Sequence, residues 1–139
     1  MFGIKKNTCY IIITGCGTLG AELAGKLAEE NEVTIIDNNI NAFEKLPYCY
    51  NGFTFNGDVN NAGVLEEAGI QNANALIAVT GNDVLNIFLS LISKKIYHVE
   101  RVYAGLTDPR FRDTYDKLEI KTLHSSDLWL EAFRREMSL

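Results

Sequence analysis

Cys9-Tyr10-Ile11-Ile12-Ile13-Thr14-Gly15-Cys16-Gly17-Thr18-Leu19-Gly20 is the stretch on which the fold turns: five apolar residues, a threonine, and a GxGxxG loop. A short isoleucine-rich run reads as a buried strand. Glycines that follow a strand and open a helix form the context in which this pattern marks a nucleotide loop. Gly15 then permits the tight turn, Gly17 lets a pyrophosphate approach the backbone with no Cβ in the way, and Gly20 lets the helix press on the sheet. Cys16, Thr18 and Leu19 complete the loop. For Cys16 two readings stand: a thiol made redox-sensitive by the helix N-terminus, or a small residue filling the turn.

Outward from the loop, short apolar runs alternate with helical spacing to the end of the chain. Residues 9–14, 33–37, 53–56, 75–79, 101–105 and 120–123 read as six strands, each too short for a helix. The helix over 18–30 stacks Leu19, Leu23 and Leu27 at i, i+4 and i+8, with Ala24 and Ala28 beside them. Further helices are expected over 40–46, 62–68, 83–97, 109–118 and 127–137, with Gly69 as a C-terminal cap and Pro109 in a first turn. The alternation predicts an α/β fold: a Rossmann-like doubly wound sheet of six parallel strands in the order 3-2-1-4-5-6, helices on both faces, and its site at the carboxyl ends of strands one and four. No linker or composition break divides residues 1–139, so one domain is expected.

Asp37 closes the second strand, 22 residues after Gly15, where a carboxylate accepts from ribose hydroxyls. Asn38 and Asn39 follow it instead of arginine, which favours a free ribose (NAD, ADP, AMP or ATP) over the 2′-phosphate of NADP. Asp58 and Val59 end the third strand at the adenine side, although Gly57-Asp58 is also an ordinary turn pair. Val79, Thr80 and Gly81, with Asn82, Asp83 and Asn86, gather small polar groups at the end of strand four; capping of the next helix explains part of this.

The net charge is −5, and it lies in the first half: residues 1–69 hold four Lys/Arg against nine Asp/Glu, while residues 70–139 hold nine of each. A phosphate in the acidic half must be held mainly by backbone N–H groups and the helix dipole. The acidic balance argues against nucleic acid as a partner. Apolar runs of at most five residues exclude a membrane span, and the start of the chain, with two lysines in residues 1–6 and no small-residue cleavage site, reads as cytoplasmic. Cys9, Cys16 and Cys49 show neither disulfide nor zinc spacing, and His98 and His124 stand alone, so no metal site is expected. An oxidoreductase shares the same loop, but no tyrosine is followed by lysine four positions on, and 139 residues leave no room for a substrate domain. A scaffold with a vestigial pocket is the third reading.

These residues together resemble the TrkA N-terminal family, also called RCK N-terminal or KTN domains, the regulatory modules of bacterial potassium channels and transporters. The resemblance runs through the loop, Val33-Thr34-Ile35-Ile36-Asp37, Asn56-Gly57-Asp58, Leu65-Glu66-Glu67-Ala68-Gly69-Ile70, the block from Ala73 to Asp83, Asn86, and Thr107-Asp108-Pro109. It implies a non-catalytic domain that binds NAD(H) or an adenine nucleotide and passes the bound state, through a homodimer or higher ring, to a membrane-embedded pore to which it attaches peripherally. By the same resemblance Gly15, Gly17 and Gly20 form the diphosphate loop, Asp37 takes the ribose, Asp58 contacts the adenosine, and Val79 and Thr80 wall the site. Many relatives carry arginine where this chain has Thr18 and Gly105, so two guanidinium groups that grip terminal phosphates are missing. The last helix, around 126–138, resembles the segment that crosses to a partner subunit. Its stripe of Trp129, Phe133 and Met137 reads from spacing alone either as cover for the sheet edge or as a subunit contact.

Overall fold

A computed structural model describes residues 8–138; the reading of residues 1–6 lies outside them. Six strands form one parallel sheet: β1 (Tyr10–Thr14), β2 (Glu32–Asp37), β3 (Phe53–Asn56), β4 (Ala75–Ala78), β5 (Arg101–Leu106) and β6 (Lys121–His124). Their order is β3-β2-β1-β4-β5-β6, as the alternating pattern predicts. Ile13 of β1 pairs with Ile35 of β2 on one side and Ile77 of β4 on the other. The chain thus changes direction across the sheet at β1 and β4, opening a crevice at their carboxyl ends.

Strand alternation divides the core in two. Ile11, Ile13, Val33 and Ile35 face helix α1 (Thr18–Leu27), while Ile12, Ile36, Leu76 and Val102 face α2 (Ala62–Glu67) and α3 (Asp83–Lys95). α1 departs from the expected leucine stripe. It buries Gly20, Ala21 and Ala24 and ends at Leu27, with Leu23 and Leu27 only partly covered and Leu19 54% exposed. Small residues let the helix axis approach the sheet, and Leu19 is left at the crevice. The region expected as a helix over 40–46 is a 3-10 turn, Ile40–Lys45, capped by the Asn39 side chain, and that over 109–118 splits into a 3-10 turn at Pro109–Phe111 and α4 (Arg112–Asp116). Gly69 adopts a left-handed φ of 87° after α2, as its placement predicts.

The last helix, α5 (Ser125–Met137), buries none of its residues. Trp129 is 71% exposed, and Leu128, Leu130, Phe133 and Met137 are also exposed, so the stripe does not cover the sheet edge of its own chain. A 2.7 Å ion pair between Arg112 and Asp127 ties the first turn of α5 to α4.

Two side chains test this packing. Asn86, 1% exposed, donates from Nδ2 to the carbonyls of Thr80 (3.1 Å) and Gly105 (2.8 Å) and accepts at Oδ1 from the Thr80 amide (2.9 Å) and hydroxyl (2.6 Å). It fastens the end of β4 to the end of β5. Asn86→Ala is expected to cost about 1–3 kcal/mol by orphaning these groups, read as a lower urea midpoint at unchanged slope. The Tyr50 hydroxyl donates to the carbonyls of Val33 (3.3 Å) and Phe53 (2.8 Å), and burial pushes its pKa from 10.0 up to about 12. The folded chain therefore keeps a proton that the unfolded chain loses first. The stability this contributes is intact below pH 10 and declines as pH rises toward 12; in Tyr50→Phe that share of the alkaline decline should disappear from unfolding curves measured across the range.

Candidate functional site

A cleft of about 760 Å³ opens where β1 and β4 end, and Gly15, Cys16, Gly17, Thr18, Leu19, Gly20, Asp37, Asn38, Asp58, Val59, Val79, Thr80 and Gly81 all border it. Two loop glycines are demanded by the protein's own packing. Gly15 has φ of 102°, and a Cβ there would stand 2.7 Å from the Val79 carbonyl oxygen; a Cβ on Gly20 would collide with the Gly15 carbonyl. Gly17 is different: its φ is an ordinary −81°, and an added Cβ meets no atom within 4 Å. Nothing in the chain itself requires glycine at 17, and its bare backbone stands at the N-terminus of α1, whose N-cap has no side-chain hydrogen bond. Unpaired N–H groups at a helix start attract anions.

Asp37 faces this loop from the end of β2. Its Oδ2 accepts from the Cys16 amide at 2.8 Å and its Oδ1 from the Asn39 amide at 2.9 Å. Each carboxylate oxygen has a second lone pair for a ligand hydroxyl. The Cys16 side chain turns into the core, 1% exposed, with Sγ 3.4 Å from the Ala42 carbonyl. Burial pushes the thiol pKa up, the Asp37 charge adds to this, and Lys45 opposes it. The small-filler reading of Cys16 holds and the redox reading does not, because a thiolate is disfavoured there.

Asp58, on the far side of the cleft, is exposed and forms a tight turn. Its Oδ1 accepts from the Asn60 amide at 2.9 Å, and the two Asn60 bonds hold its carboxyl below the usual range. At the β4 end Thr80 takes the Asn86 bonds described above, and Asn82 caps α3 by accepting from the Leu85 amide at 3.0 Å. Asp83 reaches back across the sheet end to accept from the amides of Thr107 (3.0 Å) and Asp108 (2.7 Å). So Asn82 is spent on capping, while Asn86 and Asp83 hold the rim in place.

The cleft also takes in Lys45, Asn60, Tyr103, Leu123 and Leu128, which the sequence reading did not assign to it. Tyr103 pairs with Ile77 across the sheet and shares its face, a relation the strand period could have revealed. Lys45 carries no local signal, because the path of the turn after β2 brings it there. Among the described residues no group of three or more His, Cys, Asp or Glu side chains is placed to hold a metal, and no helix is long and apolar enough to cross a membrane.

The model of the TrkA-N domain family matches residues 11–126. The chain is 34% identical over 115 residues to the Trk system potassium uptake protein TrkA of Streptomyces coelicolor; the match covers 82% of this chain and 52% of that relative. The chain thus spans about half the length of this relative. Among solved structures, the TrkA-N domain of the inner membrane protein ybaL from Escherichia coli superposes with a TM-score of 0.78 at 14% identity, covering 94% of this chain and 98% of that one. The GsuK channel bound to NAD superposes with a TM-score of 0.71 at 24% identity, covering 88% of this chain and 22% of the channel. Strand order and TM-scores carry the fold. With the family model spanning the sheet from β1 to the start of α5, the chain belongs to the TrkA-N domain family.

Proposed function

We propose that this chain is a regulatory nucleotide-binding module that takes NAD(H) or an adenine nucleotide (ADP, AMP or ATP) in the cleft and passes its bound state to a membrane-embedded potassium channel or transporter. The observation that carries the reading is Gly17: a glycine with no internal reason to be one, at an uncapped helix start facing the Asp37 carboxylate. Gly15 and Gly20 shape the turn, Gly17 and the Thr18 and Leu19 backbone receive the diphosphate, and Asp37 takes the ribose with Asn38 beside it. Asp58 and Val59 border the adenosine, and Val79, Thr80 and Gly81 wall the middle of the site. The cleft runs on to Tyr103, Leu123 and Leu128, apolar cover suited to the second half of a dinucleotide.

Regulation rather than catalysis is favoured by the names of the curated relatives, which are potassium uptake proteins. The relative from Streptomyces is named for potassium uptake, which favours a transporter as partner. A homodimer is supported by α5: none of its residues is buried in its own chain, while Tyr103 and Leu123 on the neighbouring sheet face stay partly uncovered. A module of this kind sits on the cytoplasmic side, peripheral to the membrane.

Calorimetric titration with NADH, NAD, ATP, ADP and AMP is expected to show one nucleotide per chain with no turnover. Sustained NADH consumption with a small carbonyl compound would instead establish an oxidoreductase, and no binding at millimolar nucleotide would leave a scaffold. Gly17→Val is expected to abolish binding while the melting temperature stays near that of the parent, since a Cβ at this position meets no atom within 4 Å and its φ is ordinary. Asp37→Ala should weaken nucleotide binding by about 1–3 kcal/mol. An equal loss for a phosphate ligand without ribose would remove Asp37 from the ribose role.

A further inference from the structure

The charges around the cleft are lopsided. Asp37, Asp58 and Asp83 border it, and Lys45 is the one lysine or arginine among the described bordering residues. The three carboxylates are each engaged by N–H groups, at Cys16 and Asn39, at Asn60, and at Thr107 and Asp108 respectively. Lys45 is exposed and has no ion pair among the described residues, a state it shares with Arg101, Lys117, Lys121 and Arg134, but of these only Lys45 borders the cleft. Its location is fixed by backbone. The 3-10 turn Ile40–Lys45 starts on the Asn39 cap and is buried through Ala42, whose carbonyl faces Cys16 Sγ.

Lys45 also borders a second groove, alongside α1, together with Thr18, Glu22, Lys26 and Pro47. Thr18 and Lys45 are the two residues common to both hollows, which places the lysine on the flank of the first turn of α1. Thr18 brings no charge to that turn, and the first turn of α1 holds no ionised side chain of its own. Lys45 has a long flexible stem with three donors, suited to a phosphate as a point charge.

Resting on the nucleotide reading above, we propose that Lys45 is the counter-charge for the ligand's diphosphate: it closes over the N-terminus of α1 from the β2 side and makes affinity depend on phosphate charge. The glycine loop sets where the diphosphate sits, and Lys45 sets how strongly its charge is felt in a cleft otherwise bordered by carboxylates. A ribose 2′-phosphate is the other anion within its chemistry, and the test separates the two.

The test is calorimetric titration of the parent chain, Lys45→Gln and Lys45→Arg with NAD, ADP, AMP and NADP at low and high salt. Lys45→Gln should weaken NAD and ADP about tenfold or more, weaken AMP less, and flatten the salt dependence of NAD binding. Lys45→Arg should restore both affinity and salt dependence, which a merely structural role would not do. Equal NAD affinity and salt dependence in Lys45→Gln and parent would overturn the assignment, and so would a loss confined to NADP. In either case the parent still binds, and the nucleotide-binding reading survives. A parent that binds none of the four ligands removes that reading and this proposal together.

Discussion

The bond from the Cys16 amide to the Asp37 carboxylate, 2.8 Å long, is the constraint on which the site depends. It joins the glycine loop after β1 to the end of β2, and a second bond, from the Gly15 amide to the Ile36 carbonyl at 2.8 Å, runs beside it. Together they fix the turn with groups of the chain itself. A charge-assisted bond of this kind is stronger than a neutral one, and it sets the acidic side chain within reach of whatever sits on the loop. Ordering the loop in advance lowers the entropy lost on binding.

The same logic holds across the cleft. Asp83 and Asn86 project from the first turns of α3 and hold the ends of β4 and β5 by side-chain bonds to backbone groups. Their short side chains lose little entropy in doing so. The rim is therefore held by hydrogen bonds at the loop side and at the β4–β5 side, while the Lys45 and Leu19 side chains remain exposed. Rigid walls with a few adaptable side chains suit the nucleotide binding proposed above.

Much of this was legible in the residues, for reasons that differ by element. The strands were legible to within a residue or two because each is a short apolar or alternating run, and the first three end at Gly15, at Asp37 and at Asn56-Gly57. Sheet order followed from the alternation and from right-handed crossovers. The face of α1 was legible in part: Ala24 and Ala28 pack on the sheet and Leu23 and Leu27 lie against that core, but helical period does not say that Leu19 meets the cleft instead. The turn Ile40–Lys45 is one residue shorter than the helix expected there, and a 3-10 form fits so short a segment. Lys45 was not legible at all, since its neighbours lie 27 residues back at Thr18 and are set by tertiary path. Asn86 was visible as one of a polar group but not as a fastener, because its partners, Thr80 and Gly105, meet only in the folded sheet.

The central position of β1 carries a consequence for biosynthesis. Its partner on one side, β2, follows closely in the chain, but on the other side the Tyr10 amide waits for the side chain of Asn74, 64 residues later. At a ribosomal rate of roughly 5–20 residues per second, that flank of β1 stays without its strand for about 3–13 seconds. During that interval Ile11, Ile12 and Ile13 form an unpaired isoleucine edge, a template for pairing with another nascent chain. Synonymous codon changes that slow translation between β2 and β4 would lengthen the exposure and lower the yield of folded protein without altering a single contact in the finished molecule.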